Sequence, residues 1–138
     1  MKGYEQIDIS GDAGIRAFGG TLEELFENAA VGMYSLMTDP EGVLDEGKLS
    51  VSVESHSREG LLVAWLNELI FFFDTRAFVG KRASVRFSGA HRLDGDVWGE
   101  EFDPERHGSG LLIKAATYHR LEIEKKGDRW ESEVIFDI

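Results

Sequence analysis

The chain has 138 residues, no cysteine, and 26 Asp plus Glu against 15 Lys plus Arg, for a formal net charge of −11. That length suits one domain spanning 1–138, able to bury roughly two-thirds of its unfolded surface without a disulfide or metal staple. The missing cysteine excludes disulfides, thiol catalysis and Cys-type zinc sites. The charge opposes direct binding to RNA or DNA, because Lys and Arg must neutralise phosphates there. A macromolecular partner is expected to be a basic protein surface, reached by electrostatic steering. Lys2, Glu5 and Asp8 rule out an apolar leader in the first ten residues. The longest apolar run, Leu69-Ile70-Phe71-Phe72-Phe73, is far too short for a bilayer. The chain reads as soluble and cytoplasmic.

In chain order, Tyr4 to Ile9 and Ala13 to Phe18 read as two short strands around a Gly11-Asp12 turn. Thr21-Leu22-Glu23-Glu24 is a capping box, with Thr21 as N-cap. Leu22, Leu25, Phe26, Ala29, Met33 and Leu36 then form a helical stripe to about Met37, where Asp39-Pro40-Glu41-Gly42 stops it. Leu49 to Val53 alternates as a strand. A second helix starts near Ser57, with Leu62, Trp65, Leu66, Leu69, Ile70 and Phe73 on its apolar face. Four further strands are expected: Ala83 to Phe87, Val97 to Phe102, Ala115 to Glu124 and Arg129 to Asp137. Hairpins are expected at Asp94-Gly95 and at Lys126-Gly127-Asp128, and a loop over Glu105 to Gly110. Two helices on a mainly antiparallel sheet predict an α+β, two-layer sandwich. The order of elements hints at a duplicated strand-helix-strand-strand unit.

The chemistry concentrates at the chain ends. Asp137 and the terminal carboxylate of Ile138 close the last strand, and Asp8 and Asp12 flank Ile9-Ser10-Gly11 near the start. If the two ends meet, they form an oxygen-rich site suited to a hard cation such as Ca²⁺ or Mg²⁺. Spacing by itself favours solvated surface acids. His56, His91, His107 and His119 do not pair at zinc-ligand spacing. Asp94-Gly95-Asp96-Val97-Trp98-Gly99 with Glu105 mimics part of an EF-hand loop, but Trp98 offers no side-chain oxygen and a hairpin fits better. Gly108-Ser109-Gly110 fits a flexible loop better than a nucleophile site. In Lys114-Ala115-Ala116-Thr117-Tyr118-His119, the two small residues permit close approach of another element.

Taken together, these residues resemble the archease family. The resemblance rests on Asp8, on Asp12-Ala13-Gly14-Ile15-Arg16-Ala17-Phe18-Gly19 and on the helix Thr21 to Ala30. It continues through Leu61-Leu62-Val63, Trp65-Leu66-Asn67-Glu68-Leu69, His107, the Lys114 to His119 block and the closing Val134-Ile135-Phe136-Asp137-Ile138. It implies a two-layer α/β sandwich with a duplicated unit. It also implies an accessory protein, not an enzyme, that serves an RtcB-type tRNA-splicing ligase. Such a factor speeds guanylylation of the ligase, restores multiple turnover and can widen its nucleotide choice. The family's metal site maps onto Asp12, Asp137 and Ile138, and its lysine onto Lys114. Asp8, His107 and His119 join Lys114 as expected partner-contact residues. The family's usual histidine after the first aspartate is Ile9 here. Its acidic residue before the second helix has Glu54 and Glu59 as candidates.

Two other classes stand beside this reading. One is a metal-dependent phosphoester hydrolase using Asp12 and Asp137, with Lys114 as a charge clamp, although no nucleophile or general base is evident. The other is a chaperone-like module that recognises exposed apolar segments.

Overall fold

The computed structural model describes residues 3–9, 11–108 and 110–138. Strands β1 (Tyr4–Ile9) and β2 (Asp12–Gly19) pair antiparallel. Gly11 sits between them at φ +80, a left-handed conformation that suits glycine. Helix α1 (Leu22–Met37) begins as the capping box requires. The Glu24 N–H donates to Thr21 Oγ1 at 3.1 Å, and the Glu24 carboxylate accepts from the Gly20 N–H at 3.3 Å. After a 3-10 turn at Pro40–Gly42 comes β3 (Gly47–Glu54), then α2 (Arg58–Arg76), capped by Ser57. The left-handed Ala77 (φ 55) releases the chain into β4 (Phe78–Phe87) and β5 (Arg92–Glu101). The short α3 (Pro104–His107) precedes β6 (Ala115–Ala116), β7 (Ile123–Lys126) and β8 (Arg129–Asp137).

These strands make two antiparallel sheets. One runs β1-β2-β8-β6, with β7 also on β8; the other runs β3-β5-β4. The expected duplication is visible in this order. The unit β3-α2-β4-β5 places its last strand between its first and third. The unit β2-α1-β6/β7-β8 repeats that order, and the first unit is inserted inside it. The insertion interlocks the two: α1 packs on β2 of its own unit and on β4 of the other, and α2 packs on β3 and on β6.

One hydrophobic cluster draws on both sheets and both long helices. Phe26, Trp65, Leu66, Leu69 and Ile70, the expected core residues, are all buried. The Trp65 indole N–H finds a partner in the Phe26 carbonyl at 3.0 Å, which joins the helices and satisfies the buried donor.

Three sequence expectations are corrected. Asp94-Gly95 is not a turn but lies inside β5; the β4-β5 connection is Ser88 to His91, with Gly89 at φ +71. Gly95 serves close packing instead, since a Cβ there would stand 2.5 Å from the Trp65 ring. The EF-hand resemblance dissolves with it. Asp94 and Asp96 lie on a strand, where Ser52 and Arg92 donate to Asp94 and Ser50 and Arg86 donate to Asp96. The expected strand from Ala115 to Glu124 is two strands, β6 and β7, gripping opposite ends of β8. Between them Thr117 Oγ1 donates to the Ile135 carbonyl at 2.7 Å, and Arg120 turns the chain at φ 56. The expected loop from Glu105 to Gly110 begins inside α3, whose N-cap is Asp103. Ser109 lies outside the described residues.

Candidate functional site

The strand order brings the β1-β2 hairpin beside the last residues of β8, while Tyr4, paired with Ala17, lies at the other end of the sheet. The β2-β8 ladder pairs Ala13 with Phe136, and the next position on each strand is Asp12 and Asp137. Strand alternation puts both on the face opposite buried Ala13 and Phe136. Both are exposed, and Ile138 directly follows. Among the described residues neither carboxylate has an ion pair or a side-chain hydrogen bond. The contrast lies on the same sheet face. There Arg16 bridges Glu5 at 2.8 Å and Glu133 at 3.0 Å, and these two acids hold its pKa above the usual value. Lys126 meets Glu131 at 3.3 Å. These groups line a cleft of about 350 Å³ whose charges are largely matched.

Strand β6 fixes the Asp137 end. Ala115 pairs with Asp137, and the Lys114 N–H donates to the Asp137 carbonyl at 2.8 Å. The exposed Lys114 therefore sits beside Asp137 and the last residue. On its other side β6 meets α2. The Ala116 N–H donates to Asn67 Oδ1 at 2.8 Å, and Asn67 Nδ2 donates to the Ala116 carbonyl at 3.4 Å. This is the close approach that Ala115 and Ala116 allow.

The remaining expected residues divide. Asp8 pairs with Ala13, whereas Ile9 pairs with Asp12. Asp8 and Asp12 therefore point to opposite faces of the sheet. His119 is exposed on the β6-β7 turn, its N–H donating to Thr117 Oγ1 at 3.3 Å. His107 corrects the expectation of a partner contact, because it is 2 % exposed. Its Nδ1 accepts from the Asp103 N–H at 2.8 Å, so Nε2 carries the proton and donates to Glu100 at 3.0 Å. The ring stacks on Phe102, and its backbone carbonyl receives the Thr38 hydroxyl at 3.0 Å. His107 holds α3 against the end of α1. Arg106 also donates to Glu100, at 3.0 Å, and that guanidinium, with the Leu44 N–H and His107, lowers the Glu100 pKa to about 2. Glu100 carries no motif, and Asn67 enters the sequence reading only as part of the Trp65 to Leu69 match, with nothing local to mark its bridge to Ala116.

Neither candidate for the extra acid reaches the terminus. Glu54 ends β3 and pairs with Arg92 at 3.5 Å. Glu59 helps to raise the Glu122 pKa, after the larger effect of Glu124. Glu122 directly precedes β7, which pairs with the Arg129 to Ser132 end of β8, away from Asp137. Among the described residues no three His, Asp or Glu side chains cluster as metal ligands, and no helix is long and apolar enough to cross a membrane.

An interlocked pair of strand-helix-strand-strand units, with two exposed aspartates side by side where the β1-β2 hairpin meets the end of β8, defines a small α+β domain with an acidic edge. The archease protein family matches it over residues 4–138, and the chain belongs to that family. It is 34 % identical to the archease of Sulfurisphaera tokodaii, over all of both chains. It is 38 % identical to that of Methanothermobacter thermautotrophicus, again over all of both. The solution structure of a Methanobacterium thermoautotrophicum protein superposes with a TM-score of 0.85 at 37 % identity, covering 100 % of each chain. A Thermotoga maritima crystal structure, described as an archease and possible chaperone, shares the fold at TM-score 0.66 and 21 % identity, covering 97 % of this chain and 96 % of that one.

Proposed function

We propose that this chain is an accessory activator of an RtcB-type RNA ligase, promoting its guanylylation and multiple turnover and broadening its nucleotide use. The observation that carries the reading is the juxtaposition of Asp12 and Asp137, two exposed carboxylates beside the last residue that have no side-chain partner among the described residues. Side by side and unneutralised, they repel one another unless a cation joins them. The donors are all oxygen, which fits a hard ion such as Ca²⁺ or Mg²⁺. Asp12, Asp137 and the terminal carboxylate of Ile138 would hold it. The ion would supply positive charge that fixes these carboxylates in one arrangement. The chain's own work is docking. The acidic edge is drawn to a basic cleft on the ligase, with Lys114 beside it as a positive contact; Asp8, on the other sheet face, and His119, on the β6-β7 turn, would add contacts outside the edge. By biasing the ligase toward the form that accepts the nucleotide, docking shifts a population and needs no chemistry in this chain.

The test is a ligation time course with RNA in excess over an RtcB-type ligase, with and without this protein. Multiple turnover and faster guanylylation are expected with wild type, and reduced stimulation with Asp137→Ala and Lys114→Ala. Full stimulation by both variants would move the active surface elsewhere.

A second reading, a chaperone-like module, is favoured by Leu112 at 67 % and Tyr118 at 62 % exposure on either side of β6. It calls for suppression of aggregation of unrelated unfolded proteins, reduced in a Leu112→Ser, Tyr118→Ser double variant.

A further inference from the structure

Folding pairs two histidines that lie 35 positions apart in the sequence. His56 stands at the junction of β3 and α2, and His91 in the β4-β5 turn. Their ring centroids are 6.4 Å apart at an interplanar angle of 64°. Both are exposed, and both line a hollow of about 430 Å³ whose apolar floor includes Leu22, Leu61 and Phe87.

The two segments are tied together. The Ser55 N–H donates to the His91 carbonyl at 3.0 Å. His91 Nδ1 lies 3.0 Å from the Ser55 carbonyl. A carbonyl only accepts, so Nδ1 carries the proton and Nε2 keeps its lone pair. A backbone carbonyl holding one ring nitrogen while the other is left basic is the arrangement typical of metal-ligating histidine. His56 meets only the His91 ring and makes no hydrogen bond among the described residues, so it can rotate.

The surroundings argue for a cation over an anion. Two arginines border the hollows beside these rings, and both are engaged elsewhere. Arg58 lies over the Trp130 ring at 5.2 Å, and Arg92 donates to Asp94 at 3.0 Å. Glu59 shares the lining, and the chain as a whole carries −11. A metal bound to imidazole nitrogen at about 2.0–2.1 Å lies roughly 3.2 Å from the ring centroid. Two rings on one metal therefore have centroids about 5 Å apart in tetrahedral geometry and about 6.4 Å apart at most. The observed separation needs one ring to move by about an ångström.

We propose that His56 and His91 form a transition-metal site of the Zn²⁺ class, distinct from the oxygen-donor edge at Asp12 and Asp137. The chain gives two nitrogen ligands. Water fills the other positions.

The test is calorimetric titration of tag-free protein with Zn²⁺ in the presence of excess Ca²⁺, which occupies oxygen-donor sites. One Zn²⁺ per chain is expected. His56→Gln and His91→Gln should each weaken binding at least about tenfold, as loss of even an outer-shell partner can do. His119→Gln and Asp137→Ala should leave it unchanged. Co²⁺ should give visible bands typical of nitrogen coordination, and these should vanish in His91→Gln. Absence of Zn²⁺ binding by wild type, equal binding by both histidine variants, or loss in Asp137→Ala would each overturn the proposal. Both histidines are on the surface, and circular dichroism melts should show the variants folded.

Discussion

Asn67 on α2 satisfies both backbone polar groups of Ala116, accepting from its N–H at 2.8 Å and donating to its carbonyl at 3.4 Å. One carboxamide thus occupies the place of a neighbouring strand at the edge of β6. Ala116 is only 5 % exposed, so water does not substitute readily. Since β6 in turn pairs with Phe136 and Asp137, this side chain sets where the chain terminus lies.

Asn67→Ala should therefore destabilise the protein by about 1–3 kcal/mol, the cost of leaving buried donor and acceptor unmade. Asn67→Asp keeps the acceptor but sets a carboxylate against the Ala116 carbonyl, and should be no better. Urea denaturation checks both. Wild-type stability in Asn67→Ala would show that the bridge contributes nothing.

Gly95 and Trp65 should behave as a coupled pair. A Cβ at Gly95 would lie 2.5 Å from the Trp65 ring. Gly95→Ala is expected to cost about 1–3 kcal/mol through overpacking. Trp65→Ala should cost about 3–5 kcal/mol through the cavity it leaves. In the double variant the added methyl has room, so the combined loss should fall short of the sum. Strict additivity in thermal melts would mean that the two do not touch.

Acid should act through Glu100. Its folded pKa is about 2, below the ordinary glutamate value, chiefly because Arg106 donates to it, helped by Leu44 and His107. A depressed carboxylate stabilises the fold above its unfolded pKa and loses that contribution as pH falls. The loss from Glu100 should develop from about pH 4.5 down to about pH 2. The Asp94, Asp96 and Glu131 pKa values are also lowered, by donors from Arg92, Ser50 and Arg129 first, and add in the same direction. Glu100→Gln should lower stability at neutral pH and flatten the acid limb of the stability-pH curve. An unchanged slope would remove Glu100 as its source.

At the chain terminus, Asp12→Ala, Asp137→Ala and a C-terminal extension should each weaken Ca²⁺ or Mg²⁺ binding in calorimetric titration. Both side chains are exposed, so melting temperatures should hardly change. Identical titrations for all three would discard these groups as ligands.

The acidic edge was legible because strand patterning runs to the last residues. A hairpin at the start and a strand at the end can share a sheet, and alternation then fixes which residues share a face. Asp8 was misplaced by that same rule, since being near Asp12 in sequence is not being on its face. His107 looked like a surface histidine in a loop. Its burial depends on Glu100, Asp103 and Phe102, which only the packing of α3 brings around it.

By itself the sequence determined the capped start of α1, the apolar faces of both helices, the Gly127-Asp128 turn and the family. These follow from local hydrogen bonding and from periodicities carried within a few residues. Only the tertiary structure decided that one strand-helix-strand-strand unit sits inside the other. It also decided that Gly95 makes room for Trp65, that Asn67 caps β6, and that His56 meets His91. Each of these joins segments distant in sequence. The pairing is selected by how well the faces fit once buried, and no local pattern in a single chain records that fit.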